Sequence, residues 1–438
     1  MKLLTFRGGI HPPSYKEKTK DCRIKRIPIP DFLYIYLSQH TGTPSSPIIE
    51  KGVEVKIGQK IATLGGKLSS ALHSPVNGVY EGIVTHPHPL GGRKEAMKIR
   101  VLKEKDKPFE VTLREDVTSL SKEELIEIIK ESGIVGMGGA AFPTYYKLQI
   151  PPGNKIKDLI INGVECEPFL TSDYRVMMEY SEEVIKGIDI LRRIIEPENV
   201  WVAIEDNKLD AFRRLEDAAS KFPWIKFALL KTKYPQGSEK QLISAITKRE
   251  VPEGGLPFSV GAYVQNVGTV FAIYEAVYLG KPLFERVVTV TGSIRHPSNF
   301  LTPIGTPLEH LIEVAEGPIG EIAKVINGGP LMGITQATLK TCVTKGTTGI
   351  LVQSERELKK MEPTPCIRCG ACVLVCPMRL LPTELYKYIE KEKWDRVEDL
   401  GVLSCMECGS CSYVCPAKIP LTQEIKIAKN KLIKKESK

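Results

Sequence analysis

At 438 residues the chain is longer than one ordinary core covers, and a prior of roughly 150 residues per domain predicts about three folded units. Its apolar fraction of 42%, charged fraction of 26% and aromatic fraction of 7% are globular values that exclude disordered and collagen-like chains. The net charge of +9 is spread over interspersed acids and bases, which gives a nucleic-acid-binding reading no support.

The opening MKLLTFRGGIHPP meets Gly and Pro before an apolar stretch develops, so no secretory signal is expected and the chain is assigned to the cytoplasm. No apolar run reaches the roughly eighteen residues of a membrane helix. The best stretch, Val260–Leu279, is broken by Gln265, Asn266 and Glu275, so membrane association is expected to run through other subunits. Next, Pro47–Ile83 reads as short strands with Gly52, Gly58 and Asn77-Gly78 in turns. The pattern resembles the barrel-sandwich hybrid of biotinyl and lipoyl carriers. Lys67 is a conceivable carrier lysine, but the Met-Lys-Met or acidic-Lys-Ala hairpin is missing, and an unmodified scaffold is the simpler reading. His11, His40, His73, His86 and His88 lack metal-ligand spacing, and His86-Pro87-His88 reads as exposed loop imidazoles.

Ser121–Glu131 is predicted as a helix opened by a Ser N-cap, with Glu124 completing a capping box. Directly after it, GIVGMGGAAFPT (Gly133–Thr144) carries glycines 136, 138 and 139. They permit close backbone approach and an anion-binding nest suited to a phosphate, although alone they fit a tight turn equally well. The strand-like DLIINGVECEP (Asp158–Pro168), the loop YPQGSEKQL (Tyr234–Leu242) and VQNVGT (Val264–Thr269) each follow a regular element and carry polar or glycine residues fit for a ligand. The blander readings are strand-end acids for Glu165 and Glu167 and a small packed thiol for Cys166. Arg286–Gly333 alternates β-rich runs with one short helix, and Gly328-Gly329 reads as a turn.

Eight of the 11 cysteines lie in the last quarter of the chain, which favours metal binding over disulfides. They form two copies of C-x2-C-x2-C-x3-C-P, at Cys366–Pro377 and Cys405–Pro416. The short gaps let one tight loop supply three thiolates to a cubane, with Gly370 and Gly409 letting the backbone wrap close. In the bacterial two-cluster pattern the fourth cysteine of each run ligates the other cluster. Cys366, Cys369, Cys372 and Cys415 are therefore assigned to one [4Fe–4S] cluster, and Cys405, Cys408, Cys411 and Cys376 to the other. Two zinc sites would leave cysteines over in each run. Met378–Ser404 shows helical periodicity, and the basic tail KIAKNKLIKKESK reads as a solvated helix face or frayed end.

G-M-G-G-A-A-F-P-T-Y-Y-K, N-G-V-E-C-E-P, Y-P-Q-G-S-E and Q-N-V-G-T resemble, in order, the flavin- and NADH-binding segments of the 51-kDa-type subunit of respiratory complex I. The resemblance implies an FMN site in which Gly136, Gly138, Gly139 and Lys147 face the phosphate and ribityl chain. Asn162, Tyr234, Gly237, Asn266 and Thr269 would be further contacts, Phe142 would lie near the dinucleotide, and Glu167 and Glu239 near the nicotinamide. Ala141, Val164 and Ser238 depart from the family pattern. At a position needing positive φ, Ala141 costs on the order of 1 kcal/mol.

From F-R-G-G-I-H-P at Phe6–Pro12 to the double cysteine array, the whole order resembles the RnfC family, the C subunits of ion-translocating Rnf electron-transport complexes. That implies a multidomain α/β and α+β chain: a barrel-sandwich hybrid at 1–115, an FMN/NADH domain at 116–282, a soluble-ligand-binding β-grasp domain at 283–345, and a two-cluster ferredoxin domain with a basic tail at 346–438. It further implies a peripheral subunit on the cytoplasmic face of the membrane. Electrons would pass between NAD(H), FMN and two [4Fe–4S] clusters, with membrane subunits and a ferredoxin-like carrier as partners. The rival readings are a cobalamin reductase of the diol-utilisation type, which the F-R-G-G-I-H-P start argues against, and an iron–sulfur wire with no working flavin site.

Overall fold

The computed structural model describes residues 3–105, 107–358 and 362–436. The barrel-sandwich unit stacks a four-stranded antiparallel sheet on a three-stranded one. The first has the order Phe32–Tyr36, Arg93–Val101, Gly78–Pro87, Glu54–Val55, and the second Ser46–Pro47, Lys60–Thr63, Leu72–His73. Alternation along these strands sends Leu33, Ile35, Ile61, Leu72, Met97 and Ile99 into one shared core. The segment before it runs over the other three units. Leu4 bridges Leu230, Gly9 N donates to Val375 O at 2.8 Å, and Ile24–Arg26 pairs in parallel with Ser298–Pro303.

The central unit is a parallel sheet ordered Ile225–Leu230, Asn199–Glu205, Asp158–Asn162, Ala262–Asn266. Its strands are continuous apolar runs because helices cover both faces, among them Ser181–Ile195 and Val267–Leu279. The preceding helix, Lys122–Glu131, is opened by the predicted capping box: Ser121 Oγ accepts from Glu124 N and Glu124 Oε2 from Ser121 N.

In the β-grasp unit a mixed sheet containing Glu285–Gly292, Ser298–Pro303, Ile322–Asn327 and Gly349–Ser354 packs on the helix Leu308–Val314 through Leu308, Leu311 and Ile312. The C-terminal unit is helical. Pro382–Glu390, Trp394–Asp399 and Leu421–Glu436 pack around Leu385, Val397 and Ile425, next to two short helices, Ala371–Val375 and Ser410–Val414, that each follow a cysteine loop. The helix Leu421–Glu436 takes in the basic run, and its Lys429 reaches back to donate to Cys405 O at 2.6 Å.

Candidate functional site

In the central sheet the chain steps outward from Asp158–Asn162 through two strands and then returns to add Ala262–Asn266 on the other side. The carboxyl ends of these two neighbours are thus a topological switch point, where open parallel sheets leave a crevice for ligands. Asn162 and Asn266 are register partners there. Asn162 Nδ2 donates to Gly237 O at 2.8 Å. Asn266 caps the helix Val267–Leu279, accepting from Thr269 N, and donates to Asp173 Oδ2 at 2.7 Å. Asp173 is buried, which together with Glu165 raises its pKa.

The glycine loop stands against this helix start. Gly136 N donates to Phe142 O and Ala141 N to Gly136 O, at 2.8 and 3.0 Å, closing a tight loop. Met137 N donates to Thr269 Oγ1 at 2.8 Å, and a Cβ on Gly138 would touch Asn266. Gly139 has φ +112 with open space where a side chain would point, and Ala141 occupies positive φ, at 48°, as expected for that position. Among the described residues the amides of Gly138, Gly139 and Ala140 have no acceptor. Three successive free N–H groups beside a helix N-terminus form an anion nest, so the residues present fit the phosphate end of FMN.

Lys147, expected at the phosphate, pairs with Glu239 Oε1 and donates to Val264 O, both at 2.7 Å. Phe142 packs edge-on to Tyr146. The Glu167 carboxylate is held by the β-grasp unit: its Oε1 and Oε2 accept from Met332 N and Leu331 N, at 2.8 and 3.2 Å, in the Gly328-Gly329 turn region. Burial pushes its pKa up to about 7 against these two hydrogen bonds. Glu165 is not the exposed acid of the blander reading. With its side chain 5% exposed and φ +43, it accepts from Asp173 N at 2.8 Å and lies 3.7 Å from Lys16 Nζ. Cys166 is a packed thiol accepting from Gly237 N, and burial pushes its pKa up to about 12. His86 and His88 also depart from the exposed-loop reading. His86 stacks on Tyr34 and bonds Lys340 O across the seam with the β-grasp unit, while His88 is buried against Tyr36 and bonds Ser38 O within its own unit.

Cys376 from the first run and Cys405, Cys408 and Cys411 from the second line one cavity, with Met378, Leu380, Met406 and Ile425. The cavity lies under the central unit. Tyr234, 1% exposed, donates from its hydroxyl to Cys408 O at 2.7 Å, Ser238 reaches Met406 Sδ, and Gln241 Nε2 donates to Pro377 O. Cys372 and Cys415 pack together with Ala417, Ile419 and Leu421, while Cys366 and Cys369 stay exposed. Arg368 N and Glu407 N each donate to a cysteine sulfur, at 3.4 Å. Among the described residues no three His, Cys, Asp or Glu side chains converge on a single-ion site. Four cysteines lining one cavity and backbone N–H groups directed at cysteine sulfurs form a donor set that fits [4Fe–4S] clusters.

Sequence reasoning missed the residues that tie the units together. Lys16 and Lys208, both buried, donate to carbonyls of the 164–170 loop, among them Glu165 O and Val164 O. Arg286 and Lys345, also buried, support the glycine loop and Gly133. None lies in a recognisable motif, and a lysine or arginine in a sequence ordinarily reads as surface.

Family models match along the chain: "RnfC Barrel sandwich hybrid domain" at residues 4–105, "Nuo51 FMN-binding domain" at 129–275, "SLBB domain" at 287–335 and "4Fe-4S dicluster domain" at 365–419. These are the four kinds of unit expected, in the expected order. Over 404 residues the chain is 42% identical to the C subunit of the proton-translocating ferredoxin:NAD(+) oxidoreductase complex of Clostridium ljungdahlii, covering 91% of this chain and 87% of that one. It is 39% identical over 440 residues to the Na(+)-translocating counterpart of Acetobacterium woodii, covering 99% and 98%. With the C subunit of the ion-translocating oxidoreductase complex of Pseudomonas aeruginosa the identity is 39%, over 99% of this chain and 57% of that longer one. A solved NAD+-reducing [NiFe]-hydrogenase is similar in fold, with TM-score 0.51 at 20% identity, over 70% of this chain and 60% of that chain. The chain belongs to the RnfC family, the C subunits of ion-translocating oxidoreductase complexes.

Proposed function

We propose that the chain passes electrons between NAD(H) and the rest of its complex in a fixed order: FMN at the strand ends, then the inner cysteine set, then the outer one. The observation that carries this reading is the loop from Tyr234 to Gly237. Its Gly237 O accepts from Asn162 at the strand end, and its Tyr234 hydroxyl donates to Cys408 O at the inner cavity. A single short loop therefore touches both stations.

FMN, when bound, takes the two electrons of a hydride together and gives them up singly, which suits clusters that each carry one. The chain's own residues bind and orient. The amides around Gly138 and Gly139, flanked by Gly136, Asn266 and Thr269, would hold the phosphate, with Asn162, Tyr234 and Gly237 lining the crevice toward the inner cluster. Phe142 would supply an aromatic edge for the dinucleotide, and Glu239, which pairs with Lys147, would lie on the nicotinamide side. Glu167, with both oxygens occupied by backbone amides, holds the Leu331 loop.

Cys376, Cys405, Cys408 and Cys411 would ligate the inner cluster, and Cys366, Cys369, Cys372 and Cys415 the outer. The outer set is flanked by exposed Ile367 and Leu374, which suits a docking partner in the same complex, with a ferredoxin-like carrier at the far end of the chain of transfers. The seat of the chain in this reading is peripheral, on the cytoplasmic face, and no helix among the described residues is long and apolar enough to cross a membrane. Anaerobic purification with iron and flavin assays, followed by an NADH titration, tests the reading. About eight irons, one flavin on reconstitution and bleaching by NADH are expected. Iron without flavin, and no bleaching, would contradict NADH as the electron source.

A further inference from the structure

The glycine loop turns its carbonyls inward and its amides outward, and much of what holds the carbonyls comes from other units. Gly136 O accepts from Ala141 N inside the loop. Ala140 O and Ala141 O accept from Thr41 Oγ1 and Thr41 N of the barrel-sandwich unit, at 3.1 and 3.2 Å. Met137 O accepts from both Nη1 and Nη2 of Arg286, at 3.3 and 3.2 Å. Arg286 sits on the β-grasp strand Glu285–Gly292, is 3% exposed, and also donates to Lys345 O. Burial pushes its pKa down to about 10, against the pull of Asp173.

A trans peptide is planar, with its C=O and N–H pointing in opposite directions. Holding Met137 O against the buried guanidinium therefore points the Gly138 N–H outward, where Gly139 and Ala140 also present unpartnered amides. The guanidinium adds a positive charge behind that nest, in surroundings that screen it poorly, with Asp173 as an acid acting on it.

We propose that Arg286 is a positioning residue for phosphate recognition: from the β-grasp unit it sets the orientation of the Met137–Gly138 peptide, and so the affinity of the glycine loop for the phosphoryl group of a flavin mononucleotide. This rests on the flavin reading above. The β-grasp unit is then part of the flavin site, although it presents no side chain to the flavin.

The test compares FMN with riboflavin, which lacks the phosphate, by fluorescence titration of the full-length, cluster-loaded chain. In Arg286→Gln the FMN affinity should fall roughly tenfold or more, as expected for losing charged hydrogen bonds, while riboflavin affinity stays within about twofold. Arg286→Lys should lose less, about threefold, again only for FMN, and the 31P resonance of its bound FMN should move from the wild-type position. Equal losses for both ligands would mark a general structural defect and overturn the proposal, as would undiminished FMN affinity in either variant. Should Arg286→Gln not fold, the Lys variant decides by the same comparison. A wild-type chain that binds neither ligand would refute the flavin reading itself, a result distinct from an Arg286 variant that binds both normally.

Discussion

The two cysteine runs are nearly the same loop placed in two different surroundings. Gly370 and Gly409 share the left-handed conformation, with φ 74 and 80, and Arg368 and Glu407 match at φ 56 and 57. Each run also directs a backbone N–H at its first sulfur, at 3.4 Å. Around the second run, however, the fold closes in. A Cβ on Gly409 would come within 3.0 Å of Leu331 O, whereas one on Gly370 would meet nothing. Cys408 packs with Ile10, Tyr234 and Leu331, while Ile367 and Leu374 of the first run are 67% and 79% exposed. Identical spacing makes the two ligand loops equivalent, and only their surroundings give the pair a direction, with one end against the flavin unit and the other facing outward.

The sharpest way to break this comparison is to exchange fourth cysteines between runs. Cys376→Ser lies in the outer run yet should abolish the inner cluster, and Cys415→Ser should do the reverse. Each variant should retain about four of about eight irons, with distinguishable EPR signals. Loss of the signal belonging to its own run in either variant would refute crossed ligation. Next in size is a pH effect confined to the covered side. The folded pKa of Glu167, about 7, lies above its ordinary value of 4.5, so the folded chain holds an extra proton in that window. Its contribution to stability is full below about pH 4.5 and is lost as the pH rises through 7, at up to about 1.4 kcal/mol per pH unit. Melting curves of the cluster-free chain between pH 5 and 8 should show this slope, and Glu167→Gln should flatten it. An unchanged slope would remove Glu167 from the account.

Tyr234→Phe deletes one hydrogen bond to the inner loop and leaves Cys408 O without a donor. It should cost about 1–2 kcal/mol of stability and lower the inner cluster's potential by tens of millivolts, leaving the outer one alone. Equal shifts of both potentials would contradict the assignment of Tyr234 to one cluster. The smallest effect concerns access. In cluster-free protein, brief alkylation followed by peptide mapping should find Cys366 and Cys369 modified before Cys408 and Cys415, because the first two are exposed and the last two buried. Uniform labelling would remove the inner–outer distinction.

The cysteine spacing and the capping box at Ser121 and Glu124 were legible in the sequence, because each depends on a few neighbouring residues. Asn162 and Asn266 were legible as separate loop residues, but their pairing at the switch point depends on strand order, which no local pattern carries. Glu167 shows the same limit more strongly. Its motif marked it as a site residue, whereas its partners Leu331 and Met332 arrive from a different unit that no local pattern joins to it. The buried cations Lys16, Arg286 and Lys345 were invisible for the same reason. Burial of a charge is decided by packing between units distant in sequence, and composition assigns such residues to the surface. The contacts of the residues before Ile24 with the other units carried no local sign either.

The ordered path from flavin through the inner cluster to the outer one is tested most directly by rapid-freeze EPR of the FMN-loaded chain mixed with NADH. The measurement compares wild type with Cys376→Ser and Cys415→Ser. The account predicts that the inner cluster is still reduced promptly in Cys415→Ser, while the outer cluster of Cys376→Ser stays oxidised on the same timescale. An outer cluster reduced at the wild-type rate in Cys376→Ser would contradict it.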